Sequence, residues 1–590
     1  MLTLFCMTKG EIAELFEEIA DLLELKNENP FRVRAYRNAA RALDGLTEDL
    51  QTLIKEERLT DIRGIGKDLA QKITDFATTG QCQAYEEIKA SLPPGLLQMV
   101  RIPGFGPKRA KILHDTLKID TIEKLEAACK DGQIAELKGF GEKSQQKILE
   151  GISLVREFSS RHLYSAAREV ADPILEQFRA LDGVIRCSVA GSLRRCRETI
   201  GDIDFLVSAK SADAAGISEA FVKMPGVRKI LATGETKSSV MLRGGIQADL
   251  RVVSDAQFAF ALNYFTGSKE HNIALRGRAL KLKKLSLNEY GFSPAAEKET
   301  SAKELGSSIK CRTEEELYAA LELDYVEPEL REMMGEIEAA EQHTLPKLIE
   351  KENLRGTFHC HTTWSDGLES VESMARAAQD LGLDYLGIAD HSKSQYQANG
   401  MTEDRALQQI AEIKKFNQKL SSEGFRIFAG VECDILPDGS LDFSDETLAQ
   451  FDYVVASVHS GFTMAAEAMT KRICKALAHP LVTMLAHPTG RILLSREAYP
   501  VNMPEVIAAA AQHDKIIEIN AHPHRLDMDW RFWKRAKELG VKCAINPDAH
   551  TLRELQYLAV GIGIARKGWL TKSDVINCLP LNKVEQALKR

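Results

Sequence analysis

The sequence predicts a multidomain fold: an all-α N-terminal part, a mixed α+β centre, and a C-terminal distorted β/α barrel of seven strands. Three observations carry this expectation. An apolar-x-Gly-apolar-Gly turn followed by an amphipathic helix recurs three times before residue 155. Residues 184–253 change to short β-type runs between helices. From Thr357 to about residue 565, strands and helices alternate as parallel α/β architecture requires.

Composition narrows the classes. The chain has 590 residues, 44% hydrophobic and 27% charged, which is ordinary for globular proteins and excludes a disordered or collagen-like chain. No stretch approaches the roughly 18 consecutive apolar residues of a membrane span. The start, Met1 to Met7, is apolar but lacks a basic segment and a cleavage site, and Met7 is an alternative start. Eleven scattered cysteines without a CxxC pair fit reduced thiols and a cytoplasmic setting. The net charge of −8 is uneven: residues 101–300 carry 32 basic and 25 acidic side chains, whereas residues 301–350 carry 5 and 13. The middle therefore permits a basic, nucleic-acid-facing surface. Ten of the fourteen histidines lie between His359 and His550.

In chain order, Ile12, Leu15, Phe16, Ile19, Leu22 and Leu23 have helical spacing, and an arginine-rich helix runs from Phe31 to Leu43. The recurring turns are Gly64-Ile65-Gly66, Gly104-Phe105-Gly106 and Gly139-Phe140-Gly141. Such glycines free backbone N–H groups at a helix N-terminus, which suits a phosphate. One copy is weak evidence, but three with basic followers resemble helix-hairpin-helix elements, which grip DNA backbones without reading sequence. Val184–Ala190, Asp204–Val207 and Gln247–Val253 read as strands, residues 256–325 as helix and loop, and residues 326–350 as an acidic helical linker.

Two constellations carry chemistry. The first is Gly201-Asp202-Ile203-Asp204, ten residues after Gly191-Ser192. Asp202 and Asp204, at i and i+2 of a strand, project from one face and repel each other unless a cation lies between them. Asp249 supplies a third carboxylate, and the set suits a two-metal phosphoryl-transfer site using Mg²⁺ or Mn²⁺. The second lies at successive strand ends: His359, His361, Asp366, His391, Glu432, His459, His487, Asp548 and His550. Strand C-terminal ends form the functional rim of β/α barrels. Nine imidazole and carboxylate ligands exceed one ion and fit two or three of Zn²⁺, Mn²⁺ or Fe²⁺.

The turn Tyr264-Phe265-Thr266-Gly267-Ser268 matches the sugar-binding turn of family X DNA polymerases, and residues 8–325 as a whole resemble the polymerase beta type. That resemblance implies that Asp202 and Asp204 bind both metals and that Asp249 binds the catalytic metal and helps activate the primer 3′-OH. It gives the triphosphate to Ser192, Arg195 and Gly201, and the sugar to Tyr264, Phe265 and Gly267. Asn272 would face the base and Arg276 the template. Lys72 would be a lyase nucleophile, although Asp68 stands where a cation would help. Cys196 replaces a customary glycine. Residues 355–570 resemble the PHP (polymerase and histidinol phosphatase) superfamily, with Arg491 as a candidate for the scissile phosphate.

The implied domains are a lyase-like helical part (1–80), a fingers-like part with two helix-hairpin-helix elements (81–155), a nucleotidyltransferase palm (156–255), a thumb (256–325), the linker (326–354) and the PHP domain (355–590). The implied activity is filling of short gaps in repair, in base excision repair or end joining, with 3′–5′ exonuclease, abasic endonuclease or 3′-phosphatase activity in the PHP part. Partners would be gapped or nicked DNA and deoxynucleoside triphosphates, with no membrane, and the protein a monomer. Two rivals remain: a small-molecule phosphatase carrying a vestigial polymerase, and a non-catalytic DNA-end bridge.

Overall fold

In the computed structural model, residues 9–44, 50–62, 64–79, 82–100, 102, 105–137, 139–158, 161–294, 307–420 and 424–588 are described. Gly104 of the second turn lies outside them. The chain divides into two compact units, essentially residues 1–160 and 161–590.

The first unit is helical throughout, as expected. Its amphipathic helices bury Ile12, Phe16, Ile19, Leu23, Leu43, Ile73 and Phe76 in one core. The glycine turns stand where the sequence placed them. Gly64 (φ +94°) precedes helix Lys67–Thr79, Gly106 (φ +63°) opens helix Gly106–Leu117, and Gly139 and Gly141 (φ +94° and +89°) precede helix Glu142–Phe158. Left-handed backbone there is the reason for glycine.

The second unit begins with a five-stranded sheet: β1 (Val184–Val189), β2 (Asp202–Ala209), β3 (Val227–Ala232), β4 (Lys237–Leu242) and β5 (Gln247–Val253), in the order β1-β2-β5-β4-β3. Only β2 and β5 run parallel. The sequence showed β1, β2 and β5 but not β3 and β4. β3 is an edge strand exposed along most of its length, so burial imposes no alternation on it. The hairpin β6 (Leu285–Asn288) and β7 (Gly291–Pro294) likewise replaces part of the expected helix and loop.

The segment read as an acidic linker is packed. Leu330, Ala340, Leu348 and Ile349 are buried. Arg331, fully buried, bonds Glu314 Oε1 at 2.6 Å and the carbonyl of Val326 at 3.0 Å. Arg194 Nη1 reaches the same Glu314 at 3.1 Å. Burial alone would raise the Glu314 pKa, but the two guanidiniums outweigh it and hold the carboxyl at about 2.

The barrel follows as β8 (Gly356–Cys360), β9 (Tyr385–His391), β10 (Arg426–Asp434), β11 (Tyr453–Ser457), β12 (Met484–Leu485), β13 (Ile516–Asn520) and β14 (Cys543–Asn546), all parallel and in chain order. A bridge between Cys360 and Ala549, and His361 N–H donating to Ala549 O at 2.8 Å, bring its ends nearly to closure. Aromatic rings fill its lower interior. Side chains added at Gly356, Gly387 or Gly430 would collide with Tyr385 or Tyr453.

Glu314→Ala leaves the buried Arg331 and the half-buried Arg194 guanidiniums without their shared anion. It should cost about 3–5 kcal/mol in chemical denaturation. Because the folded-state pKa is depressed, this stabilisation is present above about pH 4.5 and is lost as pH falls towards 2. An acid-unfolding midpoint unchanged by the substitution would contradict this role.

Candidate polymerase and metal sites

In the palm, parallel pairing sets Asp204 of β2 beside Asp249 of β5. Asp202 is exposed, Ile203 buried and Asp204 partly buried, so the two aspartates share the open face as alternation requires. Gln247 Nε2 holds Asp249 Oδ1 at 3.1 Å. Asp204 Oδ2 presses against Gly191 so closely that no Cβ fits there, and Gly191 has φ +60°. Burial, then the charges of Asp202 and Asp249, push the Asp204 carboxyl up to about 7. A cation between these groups relieves that repulsion, which is the fit expected of a divalent-metal site.

The residues assigned to the nucleotide gather around this edge. Gly191-Ser192 opens a short helical turn after β1, and Gly201 immediately precedes β2. Arg195 Nη1 donates to the carbonyl of Thr266, which ties residues 191–197 to the Tyr264–Gly267 turn. Tyr264 and Phe265 meet edge to face at 5.2 Å. Asn272 Nδ2 donates to Tyr264 O at 2.7 Å, and Arg276 is exposed on the following helix. Arg251 lies 4.2 Å over the Phe265 ring, and both line a cleft of about 590 Å³ with Lys237 and Tyr290.

The lyase candidate is placed differently. Lys72 is buried and paired with Asp68, while Arg32 is engaged by Glu28 at 3.8 Å. This gives Lys72 a neighbouring anion instead of the cations that activate a lysine nucleophile.

At the barrel rim the nine expected ligands converge. Four groups offer ligand atoms within 4.8 Å of one another: His361, Asp366, His391 and His550; His359, His361 and Asp548; His359, Glu432 and His487; His391, Glu432 and His459. Their union is the nine residues and no others. Shared members make one continuous cluster.

The buried atoms His359 Nε2, His361 Nδ1, His391 Nδ1, His487 Nδ1 and Glu432 Oε2 make no well-formed hydrogen bond among the described residues. Buried polar atoms are almost always satisfied, so a cluster of unsatisfied donor atoms fits divalent metal coordination. Protonation follows the same logic. Burial opposes charge on His459 and His550, yet Glu432 and Asp434 raise the first to about 9, and Asp366 and Asp548 raise the second to about 9. Burial, with His550 and His391, lowers His361 to about 3. The carboxylates are thus balanced by imidazolium protons that a metal would displace.

Simple strand alternation is not what gathers His359 and His361. His359 has φ +56° and the β8–β9 register shifts between Thr357 and Cys360, so a bulge aims both rings inward. His487 and Asp548 also have positive φ, at +26° and +53°. Strained backbone concentrated on three ligands is typical of functional sites.

Sequence reading missed the supporting residues. Glu518, fully buried in β13, accepts from His359 Nδ1 at 2.6 Å, and Asp434 accepts from His459 Nδ1 at 2.6 Å. These bonds fix the tautomer that turns each Nε2 towards the cluster. A glutamate inside the apolar run Ile516-Ile517-Glu518-Ile519 was the available signal.

The Arg491 guanidinium donates to the carbonyls of Arg525 and Leu526 and pairs with Asp529 at 3.0 Å, so it also braces a loop. Arg525 stands closer to the chemistry, with Nε 3.5 Å from Asp548 Oδ2. His522, held neutral to about pH 3 chiefly by burial, packs beside Tyr557 at 5.2 Å.

Comparison with known proteins follows the same divisions. Residues 7–82 match the family described as helix-hairpin-helix domain, and residues 96–153 the SAM-like helix-hairpin-helix tandem. Residues 261–332 match the DNA polymerase beta thumb, and residues 357–522 the PHP domain. The DNA polymerase/3′-5′ exonuclease PolX of Bacillus subtilis (strain 168) is 36% identical over 99% of this chain and 100% of its own length. A probable phosphatase of Thermoanaerobacter sp. (strain X514) is 28% identical over 39% of this chain and 93% of its own. Rat DNA polymerase lambda is 23% identical over 54% of this chain and 56% of its own.

Glu518→Gln should weaken metal binding at the barrel about 10–100-fold in chelator competition. Glu432→Ala, which removes a ligand from two groups, should lower the bound metal measured by elemental analysis by at least one equivalent. Full metal content in both variants would show that these carboxylates do not serve the cluster.

Proposed function

The chain belongs to the family X DNA polymerases that carry a C-terminal PHP domain, and we propose that it fills short gaps in DNA and trims 3′ ends at two separate sites. The observation that carries this reading is the presence in one chain of both sets: carboxylates on the adjacent strands β2 and β5, and all nine ligands at the barrel rim. The alternative of a small-molecule phosphatase leaves the ordered Asp204–Gly191 contact and the Arg195–Thr266 bond without purpose. A non-catalytic bridge leaves the complete ligand cluster without purpose.

In the palm, Asp202, Asp204 and Asp249 would hold the divalent ions, Mg²⁺ or Mn²⁺, with Asp249 facing the primer 3′-OH. When bound, these ions neutralise the triphosphate and activate the attacking oxygen. Ser192 and Gly201 flank the phosphates and Arg195 adds positive charge. Tyr264, Phe265 and Gly267 pack on the sugar, Asn272 faces the base from the minor-groove side, and Arg276 reaches the template. Gly64, Gly66, Gly106, Gly139 and Gly141, with Gly104, grip the DNA backbone, so binding is non-specific in sequence and weakens steeply with salt.

In the barrel, two or three ions, Zn²⁺, Mn²⁺ or Fe²⁺, serve a 3′–5′ exonuclease, with abasic-site endonuclease or 3′-phosphatase chemistry at the same ligands. Arg491 contacts the scissile phosphate, with Arg525 beside Asp548 as a second cation for it. Gapped or nicked DNA and deoxynucleoside triphosphates are the partners, the protein acts as a monomer in the cytoplasm, and base excision repair is the setting. Lys72 acts as a lyase nucleophile only if the Asp68 pair opens. No helix among the described residues is long and apolar enough to cross a membrane.

A 5′-labelled duplex with a one-nucleotide gap tests the two sites together, in Mg²⁺ and in Mn²⁺. Asp249→Ala should abolish extension and spare degradation, and His361→Ala should do the reverse. Wild-type protein that neither extends nor shortens the primer refutes both activities. Extension should also respond to pH. Because the Asp204 carboxyl is raised to about 7, protons compete with metal below that value. At limiting Mg²⁺ the rate should therefore fall as pH drops from 8 to 6, and excess Mg²⁺ should restore it.

A further inference from the structure

The phosphate loop of the palm is built partly from the barrel. Residues 191–197 carry Ser192 and Arg195, and the barrel helix Leu558–Lys567 lies against them. Cys196, which has φ +52° where a glycine is customary, sets its sulfur against Gly563, where an added Cβ would sit 3.3 Å from it. At the end of the same helix Lys567, almost wholly buried, donates to the carbonyl of Arg195 at 2.9 Å. It also donates to Glu332 Oε1 at 2.7 Å. Glu332 in turn holds Arg195 Nε at 3.0 Å, and its other oxygen lies 3.4 Å from Arg197 Nη1. One carboxylate from the packed acidic segment thus gathers two cations of the palm and one of the barrel. Burial would raise the Glu332 pKa, but Lys567, Arg195 and Arg197 outweigh it and keep the group ionised.

We infer that Lys567, acting through Glu332, is a positioning residue of the polymerase reaction: the barrel contributes the cation that holds Arg195 in place for the incoming triphosphate. Without Lys567, Glu332 keeps only the two palm arginines and pulls the Arg195 guanidinium more strongly towards itself. The Arg195 carbonyl also loses its clamp. The loop then presents its charge to the nucleotide less well. This inference rests on the reading of Arg195 as a triphosphate contact.

The test is steady-state primer extension by the full chain, with KM for the deoxynucleoside triphosphate and kcat measured separately, and 3′–5′ degradation of the same primer measured alongside. Arg195→Ala should raise KM and so establish the premise. Lys567→Met and Glu332→Gln should each raise KM roughly tenfold, the size expected for loss of a charge-assisted buried bond. Degradation and kcat should stay within roughly twofold of wild type. Adding Lys567→Met to Arg195→Ala should raise KM no further, because the lysine acts through the arginine.

If Arg195→Ala leaves KM unchanged, the reading of the nucleotide pocket is wrong. If Arg195→Ala raises KM while Lys567→Met and Glu332→Gln do not, the positioning role is wrong. Equal loss of extension and degradation in Lys567→Met, with a lowered melting temperature, marks a merely structural lysine. The near-isosteric Glu332→Gln then decides: an unchanged KM in that variant overturns the inference, and a raised KM with intact degradation upholds it.

Discussion

Compensation of buried carboxylate charge governs how this chain is put together. Glu432 is 1% exposed and stands among five imidazoles, with His487 at 2.9 Å, His391 at 2.8 Å, His459 at 3.2 Å, His359 at 3.4 Å and His361 at 3.7 Å. Glu314 is buried between Arg194 and Arg331, and Glu332 between Arg195, Arg197 and Lys567. An ionised carboxylate taken out of water without partners is prohibitively costly, so each of these positions dictates what surrounds it. In the barrel the dictated surroundings are metal ligands. In the rest of the second unit they are arginines and a lysine that join palm, thumb and barrel.

Much of this architecture was legible in the sequence because it follows from local rules. Glycine turns at Gly64, Gly106 and Gly139 need φ values that glycine supplies most easily, so three copies of a pattern predicted three helix starts. Asp202 and Asp204 obey strand alternation, and their shared face followed from the spacing alone. The nine residues could be named because most lie at or close to a strand end in a regular strand–helix repeat, with Asp366 and His550 in the loops that follow.

What escaped was decided by contacts distant in the chain. The exposed edge strand Val227–Ala232 has no burial pattern to read. The bulge at His359 arises where the first barrel strand meets its neighbour and the last strand, a constraint absent from the five residues themselves. Arg491 could be named because it follows His487 in the chain. Only the fold brings Asp529 and the Arg525 carbonyl to it. Residues 326–350 read as an acidic linker, and composition left open what the fold supplies: Glu332 pairs with Arg195 and Lys567, and Glu329 with Arg566.

The aromatic floor of the barrel bears on the traffic of small species. Tyr385 and Tyr453 occupy the space left by Gly356, Gly387 and Gly430, and both are fully buried. They stand at the starts of β9 and β11, whose far ends lead to His391 and His459. The most open members of the ligand cluster, Asp366 and His550, are 35% and 31% exposed and mark the mouth. Asp366 and His550 are therefore the first of the nine residues that an ion entering from solvent meets.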